Sequence, residues 1–447
     1  MRFEDMNLSA SLRKAIADMG FTEATTIQSV AFPVIMSGRD VLGIAQTGTG
    51  KTLAYLMGAM NTWKYMPQNP PQIIVLVPTR ELVVQVVEVA KRLSSRTNMK
   101  CVGVFGGVGM VPQAQAVSEG ADVLVGTPGR LLDLVLDGYV NLRNVKKLIV
   151  DEVDEMLEQG FRTQLGRIFD LLPKKRQNLL FSATMTSEVE SLTETYFTAP
   201  VKVQAAPTGT PLTEIEQGVY RVPNFNTKLN LLRILLSDKE SMRRVMVFVG
   251  SMALADKVYE SIEQDFEGDI DYIHSKRTQS QRFKAVRGFA DGDFRILIAT
   301  DVVARGIDVS EVSHVINFDL PLEAEQYIHR IGRTGRAGEY GQAWSFCSDA
   351  EVTLLSNIEA LMGVEVLERS LPEDLVISTV LTDFELPTYR MKNVLTEIDA
   401  TPGGAFHERA EKNKKVNKRI HHADLMRQKY GKPKTRGDKR QNNKKKK

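Results

Sequence analysis

The chain has 447 residues, of which 43% are hydrophobic and 25% charged, and this composition excludes a disordered chain, a collagen-like repeat and a coiled-coil rod. Its two cysteines, Cys101 and Cys347, are too few for a disulfide scaffold or for a cysteine cluster that holds zinc. The formal net charge of +3 conceals a split, because residues 401–447 hold 17 basic and 4 acidic side chains, which leaves a net charge of −10 on residues 1–400.

The first half of the chain alternates short apolar runs with amphipathic stretches. Each run is nearly continuous in apolar residues, which is typical of a parallel strand covered on both faces. Strands are predicted at Val41–Ile44, Ile73–Val77, Cys101–Phe105, Val123–Val125, Leu148–Val150 and Leu179–Phe181. Helical spacing between them, as in Arg80–Ser94 and Gly129–Asp137, predicts an α/β domain with a parallel sheet over residues 1–205.

A turn-rich stretch, Ala205–Pro211, interrupts this alternation and predicts a linker over residues 206–212. The pattern then restarts and predicts a second α/β domain over residues 213–366. Its predicted strands are Val245–Val249, Asp271–His274, Arg295–Ala299, His314–Phe318 and Ala343–Phe346, and its helices are Lys228–Leu236, Ala253–Gln264, Ser280–Phe289 and Ala324–Arg330. We expect residues 367–400 to form an extension that packs on this domain.

Residues 401–447 end in four lysines and contain few apolar side chains. They cannot bury enough surface to offset the entropy of ordering, so we expect a basic, disordered C-terminal tail. Three interpretations of the tail remain open. It is a solubilising charge run, a tether for a polyanion such as nucleic acid, or a nuclear localisation signal.

A glycine-rich segment, Ala45–Thr52, lies between the first predicted strand and a helical stretch. It matches the phosphate-binding loop G-x-x-x-x-G-K-[ST], with alanine at the first position. Glycines let backbone N–H groups converge on phosphate oxygens, and the helix N-terminus adds a positive dipole end. Lys51 is expected to contact the β- and γ-phosphates, and Thr52 to hold Mg²⁺. The predicted nucleotide contacts are Ala45, Gln46, Thr47, Gly48, Thr49, Gly50, Lys51 and Thr52.

An acidic pair, Asp151 and Glu152, directly follows the predicted strand Leu148–Val150. Ligands of open parallel sheets lie at the carboxyl ends of the strands, so this pair and the phosphate loop should share one edge. We expect Asp151 to hold Mg²⁺ together with Thr52. Glu152 is expected to orient and deprotonate an attacking water.

Three further loops leave the same edge of the predicted sheet. They are Pro78-Thr79-Arg80, Thr127-Pro128-Gly129-Arg130 and Ser182-Ala183-Thr184. The first two combine a hydroxyl and an arginine with a predicted helix start, which suits the phosphates of a nucleic acid. Helix capping alone explains the same two loops equally well.

The second domain contains His329–Arg336, in which Arg330, Arg333 and Arg336 are spaced by three residues. A guanidinium group that is buried there needs a partner. The cluster either stabilises the charge that develops on a γ-phosphate, which is the role of an arginine finger, or forms an ion-paired surface stripe.

The ordered set of motifs over roughly residues 3–350 resembles the DEAD-box family of ATP-dependent RNA helicases, in superfamily two. The set runs from Gly20-Phe21 and Gln28 through the phosphate loop, PTREL, Gly106-Gly107, TPGR, DEVD and SAT to Val247–Val249, Gln279-x-x-Arg282, ATDVVARGID and HRIGRTGR. The resemblance implies two RecA-like domains in tandem. It also implies ATP hydrolysis coupled to local, largely sequence-independent unwinding or remodelling of RNA duplexes and RNA–protein complexes.

The same resemblance implies a role for individual residues. Phe3 would stack on adenine, Gln28 would bind its edge, and Asp308 would meet the ribose. The catalytic residues would be Lys51, Asp151, Glu152, Arg333 and Arg336. Asp154, Ser182 and Thr184 would couple hydrolysis to RNA. The RNA backbone would be bound by Pro78, Thr79, Arg80, Gly107, Thr127, Pro128, Gly129, Arg130, Arg282 and Thr300.

The chain departs from the family pattern at three places. Val153 stands where the family usually has alanine, and we expect it to face apolar packing. The stretch Ala24–Gln28 lacks the usual prolines, so we expect a looser loop there. His274-Ser275 replaces the usual His-Gly.

Two other functions remain open at this point: a DNA helicase of the same superfamily, and an ATP-gated RNA clamp. The presence of Lys51, Asp151, Glu152 and both arginines argues against a clamp that never hydrolyses ATP. The expected partners are RNA and proteins of ribosomal precursors or of RNA degradation, in ribosome assembly or mRNA turnover. The sequence begins without an apolar signal segment, so we expect a cytoplasmic protein with no membrane partner.

Overall fold

The computed structural model describes residues 1–45, 48–204, 215–301, 312–335 and 340–382, together with Glu385 and Lys429. Four predicted site residues, Gln46, Thr47, Asp308 and Arg336, lie outside the described residues. So do the predicted linker 206–212 and the basic tail 401–447, apart from Lys429. Contacts group Met1–Pro387 into one compact unit. No helix in the described ranges is long and apolar enough to cross a membrane.

Two seven-stranded sheets, each entirely parallel, form the centre of the fold. The first contains β1 Val41–Ile44, β2 Ile73–Leu76, β3 Cys101–Val104, β4 Val123–Gly126, β5 Lys147–Val150, β6 Gln177–Ser182 and β7 Val201–Gln204. The second contains β8 Ile215–Arg221, β9 Val245–Phe248, β10 Ile270–Ile273, β11 Ile296–Ala299, β12 His314–Asn317, β13 Gly341–Cys347 and β14 Leu367–Glu368. The prediction of two parallel α/β domains in tandem is confirmed.

The two sheets share one topology. The strand order is β3-β4-β2-β5-β6-β1-β7 in the first sheet and β10-β11-β9-β12-β13-β8-β14 in the second. Counted from the first strand of each sheet, both orders read 3-4-2-5-6-1-7. One architecture therefore occurs twice, and each copy offers a row of loops at the carboxyl ends of its strands.

Helices cover both faces of each sheet. Those of the first domain are α1 Ala10–Asp18, α2 Thr26–Met36, α3 Lys51–Met60, α4 Arg80–Ser94, α5 Met110–Ser118, α6 Pro128–Leu136, α7 Val153–Glu158, α8 Arg162–Leu171 and α9 Ser187–Tyr196. Those of the second are α10 Phe225–Ser237, α11 Met252–Ile262, α12 Gln279–Asp291, α13 Ala324–Ile331 and α14 Val352–Met362. In β2, Ile73 and Val75 pack into one apolar cluster and Ile74 and Leu76 into another, which explains why the strand is apolar throughout.

Residues 367–382 are the described part of the predicted extension, together with Glu385. They pack on the second domain, where β14 pairs with β8. The Arg369 guanidinium lies 3.8 Å from the centre of the Trp344 ring. Leu371 and Leu375 pack against the apolar cluster on the same face of the sheet.

Lys147 is buried at the start of β5, at the end of the strand opposite Asp151. Its Nζ donates a hydrogen bond to Gly58 O at 3.2 Å, near the C-terminal end of α3. Burial lowers the pKa of Lys147 to about 8. The charged ammonium is therefore less favourable in the folded protein than in the unfolded chain, where the pKa of lysine is about 10.4.

We expect Lys147→Met to raise the free energy of unfolding at pH 7 by about 1–2 kcal/mol. Each unit of pKa corresponds to about 1.4 kcal/mol, and the lost hydrogen bond to Gly58 offsets part of the gain. The gain should shrink as the pH rises from about 8 to about 10.4, because the wild-type lysine then loses the charge that is costly to bury. Denaturant unfolding at several pH values measures this, and a gain independent of pH would contradict the explanation.

Candidate active site

The described part of the phosphate loop, Gly48–Thr52, contains two glycines in a left-handed conformation. Gly48 and Gly50 have φ angles of +82° and +88°, in the left-handed region that favours glycine. Lys51 is the first residue of α3, so the loop leads directly into the positive end of a helix. A Cβ atom at Gly50 would lie 2.4 Å from Gln28 Nε2. Both the conformation and the available space therefore require glycine at this position.

Gln28 fixes the phosphate loop to the start of α2. Its Oε1 accepts a hydrogen bond from the Thr25 N–H at 2.9 Å, and its Nε2 donates to Gly50 O at 3.2 Å. Thr25 Oγ1 donates to Thr49 O at 2.9 Å. The stretch without prolines is thus hydrogen-bonded to the phosphate loop, and its expected looseness stays a prediction. The adenine contact stays a prediction, and it would use the second N–H of Gln28 Nε2 and a remaining lone pair of Oε1.

Phe3 is buried in the apolar cluster of the first domain, within a 3₁₀ turn at Phe3–Asp5. It also lines a surface pocket with Lys14 and Phe21. Its stacking on adenine stays a prediction.

Two residues at which the chain departs from the family pattern have clear surroundings. Val153 is fully buried in apolar packing, as expected. His274, which precedes Ser275, has its Nε2 2.9 Å from Asp256 Oδ1.

Lys51 and Asp151 face each other at the carboxyl ends of the first sheet. Lys51 is buried, and its Nζ lies 4.0 Å from Asp151 Oδ1. Among the described residues this Nζ has no hydrogen-bond partner. A buried ammonium group needs anionic partners, so the loop, the lysine and the helix N-terminus fit the phosphate groups of a nucleotide. Thr52 and Asp151 fit Mg²⁺, which usually takes one or two carboxylates and completes its coordination with phosphates and water.

Glu152 has a strained backbone and a buried carboxylate. Its φ is +53°, a conformation that costs a side chain other than glycine about 1–3 kcal/mol and is often found at functional sites. Its Oε2 makes no hydrogen bond with any described residue. Burial, and next the charge of Glu155, raise the pKa of Glu152 well above its ordinary value. A carboxylate whose pKa is raised in this way suits the role of a general base.

Asp151 and Tyr55 share this buried environment. Burial raises the pKa of Asp151, and the Lys51 ammonium partly opposes the shift. The pKa of Tyr55 is raised well above its ordinary value by burial first and by the Asp151 charge second. Tyr55 was not among the predicted site residues, since an aromatic residue inside an apolar helix gives no signal of a polar role.

The second domain reaches the acidic motif through His329 and Arg333. His329 Nδ1 lies 3.1 Å from Glu155 Oε1, and Arg333 Nε donates to His329 O at 3.2 Å. The Arg333 charge also lowers the pKa of Glu152, against the larger effect of burial. Arg333 is thus within electrostatic range of Glu152, and its role as an arginine finger stays a prediction.

Arg330 differs from Arg333 although both belong to the same motif. It is almost fully buried inside the second domain and makes a two-pronged ion pair with Asp301, at 2.6 and 2.8 Å. A third nitrogen donates to Asn317 Oδ1 at 3.2 Å. Arg330 therefore stabilises its own domain, whereas Arg333 faces the first domain.

Asp154 connects the acidic motif to the Ser182-Ala183-Thr184 loop. Its Oδ2 accepts hydrogen bonds from the Ala183 N–H at 3.1 Å, the Thr184 N–H at 2.9 Å and the Thr184 hydroxyl at 2.9 Å. Ser182 Oγ donates to Thr184 O at 2.6 Å. The three predicted coupling residues are thus in direct contact.

We expect Asp154→Asn to weaken coupling more than nucleotide binding. The amide retains one acceptor oxygen but loses the negative charge that strengthens the three hydrogen bonds to Asp154 Oδ2. A hydrogen bond to a charged group contributes about 1.5–3 kcal/mol. RNA-stimulated ATP hydrolysis should fall by about tenfold or more while the Kd for ATP stays within about threefold. Steady-state hydrolysis and nucleotide titration measure the two quantities, and an equal loss in both would contradict a coupling role.

Two of the predicted RNA-binding arginines belong to a network that joins the two domains. Arg80 Nη1 donates to Gln279 Oε1 at 2.9 Å, and Gln279 Nε2 donates to Glu81 Oε1 at 3.1 Å. Arg282 Nη2 lies 2.8 Å from the same Glu81 oxygen. A Cβ atom at Gly107 would lie 2.2 Å from the Arg80 guanidinium, so this glycine allows the arginine to lie flat against the backbone.

The other predicted RNA contacts lie on separate loops. Arg130 Nη2 donates to Val108 O at 2.9 Å, and Thr79 Oγ1 accepts from the Leu82 N–H at 3.3 Å, as a helix cap does. Thr127 immediately precedes α6. Pro78, Pro128 and Thr300 are buried, and Gly129 is half-buried. The helix-cap interpretation is thus correct for Thr79, and an RNA role for these loops stays a prediction.

Sequence reasoning did not single out Glu81, Gln279 or His329 as site residues. Each lies inside a motif that was recognised, within four positions of a residue that was selected. The signal that would have identified them is pairing between motifs, since Glu81 and Gln279 are 198 positions apart in the chain.

Comparisons with known proteins agree with this geometry. The family model described as DEAD/DEAH box helicase matches residues 25–192, and that of the helicase conserved C-terminal domain matches residues 227–338. The chain is 40% identical over 359 residues to the DEAD-box ATP-dependent RNA helicase CshA of Bacillus subtilis, covering 80% of this chain and 72% of that one. It is 38% identical over 377 residues to the ATP-dependent RNA helicase SrmB of Escherichia coli, covering 83% and 84%.

A solved structure gives the same result for the fold. The chain is similar to Dbp5 of S. cerevisiae bound to RNA and ADP BeF3, with a TM-score of 0.75 and 30% sequence identity. The similarity covers 82% of this chain and 95% of that one. It therefore includes both parallel-sheet domains.

Proposed function

The chain belongs to the DEAD-box family of ATP-dependent RNA helicases, and we propose from this premise how its own residues hydrolyse ATP and remodel RNA. The chain is an RNA-dependent ATPase that couples hydrolysis to local unwinding or remodelling of RNA. The observation that carries this proposal is the meeting of the two domains at the acidic motif. There His329 lies 3.1 Å from Glu155, and the Arg333 charge acts on Glu152.

The residues of the first domain bind and orient the nucleotide. Backbone N–H groups of the phosphate loop and the Lys51 ammonium hold the phosphates, and Gln28 lies beside this loop. Thr52 and Asp151 hold Mg²⁺, which neutralises phosphate charge when bound. Glu152 accepts the proton of the attacking water, because its raised pKa makes it a stronger base than an ordinary carboxylate.

The second domain completes the site. Arg333, with Arg336 from the same motif, stabilises the charge that develops on the γ-phosphate. Because this arginine comes from the second domain, hydrolysis requires both domains to be in contact. RNA bound along the edge formed by Arg80, Gly107 and Arg282 favours the same contact, so RNA and ATP promote each other's binding.

RNA is held through its phosphates and therefore without sequence specificity. In the described residues Arg282 is paired with the Glu81 carboxylate. An RNA phosphate competes with that carboxylate for the same guanidinium group. RNA binding thus replaces a contact within the protein with a contact to RNA. A bend that the protein imposes on the bound RNA strand then releases the complementary strand.

The test is ATP hydrolysis by the purified protein with total RNA, with single-stranded DNA or with no nucleic acid. We expect stimulation by RNA alone, and its loss in Glu152→Gln. Stimulation by DNA would favour a DNA helicase of the same superfamily. ATP binding without turnover on any polymer would favour an ATP-gated clamp.

The basic tail is proposed to tether RNA, since its 17 basic side chains release counterions from phosphates on binding. Deleting residues 401–447 should weaken RNA affinity and flatten its dependence on salt, while basal ATP hydrolysis stays unchanged. Filter binding between 50 and 300 mM salt measures the slope. An unchanged slope would leave only a solubilising role.

We also propose a cytoplasmic location and a pathway that uses structured RNA, either ribosome assembly or mRNA turnover. The partners would be proteins of ribosomal precursors or of RNA degradation. Crosslinking of Glu152→Gln to RNA in cells separates the two pathways, because a variant that does not turn over remains on its substrate.

A further inference from the structure

Residues 376–382, here named the strap, run along α10 on the second domain. Three asparagine side chains at the start of this helix hold carbonyl groups of the strap. Asn230 Nδ2 donates to Val376 O, Asn224 Nδ2 to Ser378 O and Asn226 Nδ2 to Val380 O. The bonded carbonyls belong to every second residue, which is the period of an extended chain.

The strap exposes apolar side chains to solvent. Val376, Ile377, Val380 and Leu381 are 69%, 57%, 65% and 47% exposed. Together they present roughly 400 Å² of apolar surface, divided between the two faces of the extended chain, with Val376 and Val380 on one face and Ile377 and Leu381 on the other. No charged residue occurs between Leu375 and Thr382, and β-branched residues that favour strands predominate.

Among the residues that the structure describes, one backbone edge of the strap makes no hydrogen bond. The Ser378 N–H donates to Thr227 Oγ1 at 3.0 Å, so this residue uses both its backbone groups toward the second domain. In an extended chain the groups of the intervening residues point to the opposite side. Within the described residues, the backbone N–H and C=O groups of Ile377, Thr379 and Leu381 make no hydrogen bond. An exposed apolar strand with such an edge is a template for another strand.

We propose that the strap is a docking site for an extended segment of a partner protein, which adds a strand to this free edge. Backbone hydrogen bonds supply affinity, and alternate apolar side chains of the partner pack on the exposed patch. Glu373 and Asp374, which directly precede the strap, are exposed. The partner segment therefore carries a lysine or arginine at the end that meets them.

A second copy of this chain fits the strap less well. A stable interface buries about 800 Å² on each partner, which is about twice the apolar patch.

The test uses the full-length protein and a short fluorescent peptide that alternates valine and threonine between terminal lysines. We expect saturable binding by anisotropy. Thr379→Pro should lower the affinity about tenfold or more, because proline removes an outward N–H and its hydrogen bond. Proline also favours an extended residue before it, so the anchored Ser378 is not disturbed. Thr379→Ala keeps the N–H and should bind within about twofold of wild type.

Two controls identify the mode of binding. The same peptide methylated on all of its backbone nitrogens should not bind, and a peptide with terminal glutamates should bind more weakly. Peptide binding should slow amide exchange at Ile377, Thr379 and Leu381, while ATP hydrolysis by both Thr379 variants stays at the wild-type rate. Equal binding of the methylated peptide, or full affinity of Thr379→Pro, would overturn the proposal. So would self-association of the protein that Thr379→Pro abolishes, because the occupant would then be a second copy.

Discussion

Glu152→Gln is expected to lower the rate of ATP hydrolysis by about 10²–10⁴-fold, the usual effect of removing a general base, and to leave ATP and RNA binding intact. The substitution keeps the size of the side chain but removes the group that accepts the proton. Binding should persist because Lys51, Asp151 and Thr52 are unchanged. Single-turnover hydrolysis with and without RNA, together with nucleotide and RNA titrations, separates the chemical step from binding.

The pH dependence of the wild-type enzyme provides an independent check on this base. Burial first, and Glu155 second, raise the pKa of Glu152 well above its ordinary value of 4.5. A base must be deprotonated to act, so hydrolysis should fall as the pH drops through this raised pKa, and thus well above pH 4.5. Glu152→Gln should lose that acidic limb, because its amide does not titrate. A residual rate with the wild-type pH profile would show that another group accepts the proton.

The sequence predicts most strands of both sheets, including the edge strands β3 and β10, and misses β7, β8 and β14. All eleven predicted strands exist within two residues of their predicted ends, because a continuous apolar run is typical of them. The missed strands lie at or next to a sheet edge. Val201–Gln204 places Lys202 and Gln204 in solvent, and Ile215–Arg221 contains several polar residues, so neither has the pattern of a central parallel strand.

The active site was predictable as a set of residues but not as a set of contacts. Motif order and strand ends place Lys51, Asp151 and Glu152 at one edge, because carboxyl ends of parallel strands meet there. Spacing alone could not distinguish Arg330 from Arg333, since both occupy the same motif. They differ because Arg330 pairs with Asp301 in its own domain, whereas the Arg333 charge lowers the pKa of Glu152 in the other domain.

The same limit applies to the RNA-binding residues. Sequence reasoning assigned Arg80 and Arg282 to phosphates, whereas the structure gives both a protein partner, Gln279 and Glu81. Contacts between residues almost 200 positions apart depend on how two domains meet, and no local pattern encodes that arrangement. An arginine that pairs with a carboxylate in this way remains able to exchange it for a phosphate, since both anions match its planar fork.

Arg333→Ala is expected to lower RNA-stimulated ATP hydrolysis by about 10³-fold or more, the effect typical of losing an arginine finger. ATP affinity should change little, because the phosphates are bound chiefly by Lys51 and the loop of the first domain. Arg333 also lowers the pKa of Glu152, so its removal should raise that pKa further and shift the acidic limb of the residual rate to higher pH. A merely structural role for Arg333 would not move the pH profile.

Arg330→Ala is the matched control, because it lies in the same motif but pairs with Asp301 inside the second domain. Removing one partner of a buried ion pair costs about 3–5 kcal/mol of folding free energy, so Arg330→Ala should lower the melting temperature markedly. Arg333 is also buried and donates to His329 O, so Arg333→Ala should lose some stability as well, but it should be inactive at temperatures at which it is fully folded. Arg336→Ala should lose RNA-stimulated turnover in the same way. Retained turnover in Arg333→Ala would exclude the finger role, whereas inactivity with an equal loss of stability in both variants would reduce Arg333 to a structural residue. The combination of a stable fold, intact ATP binding and a shifted pH profile is what distinguishes an arginine that acts on the reacting phosphate from one that only holds its domain together.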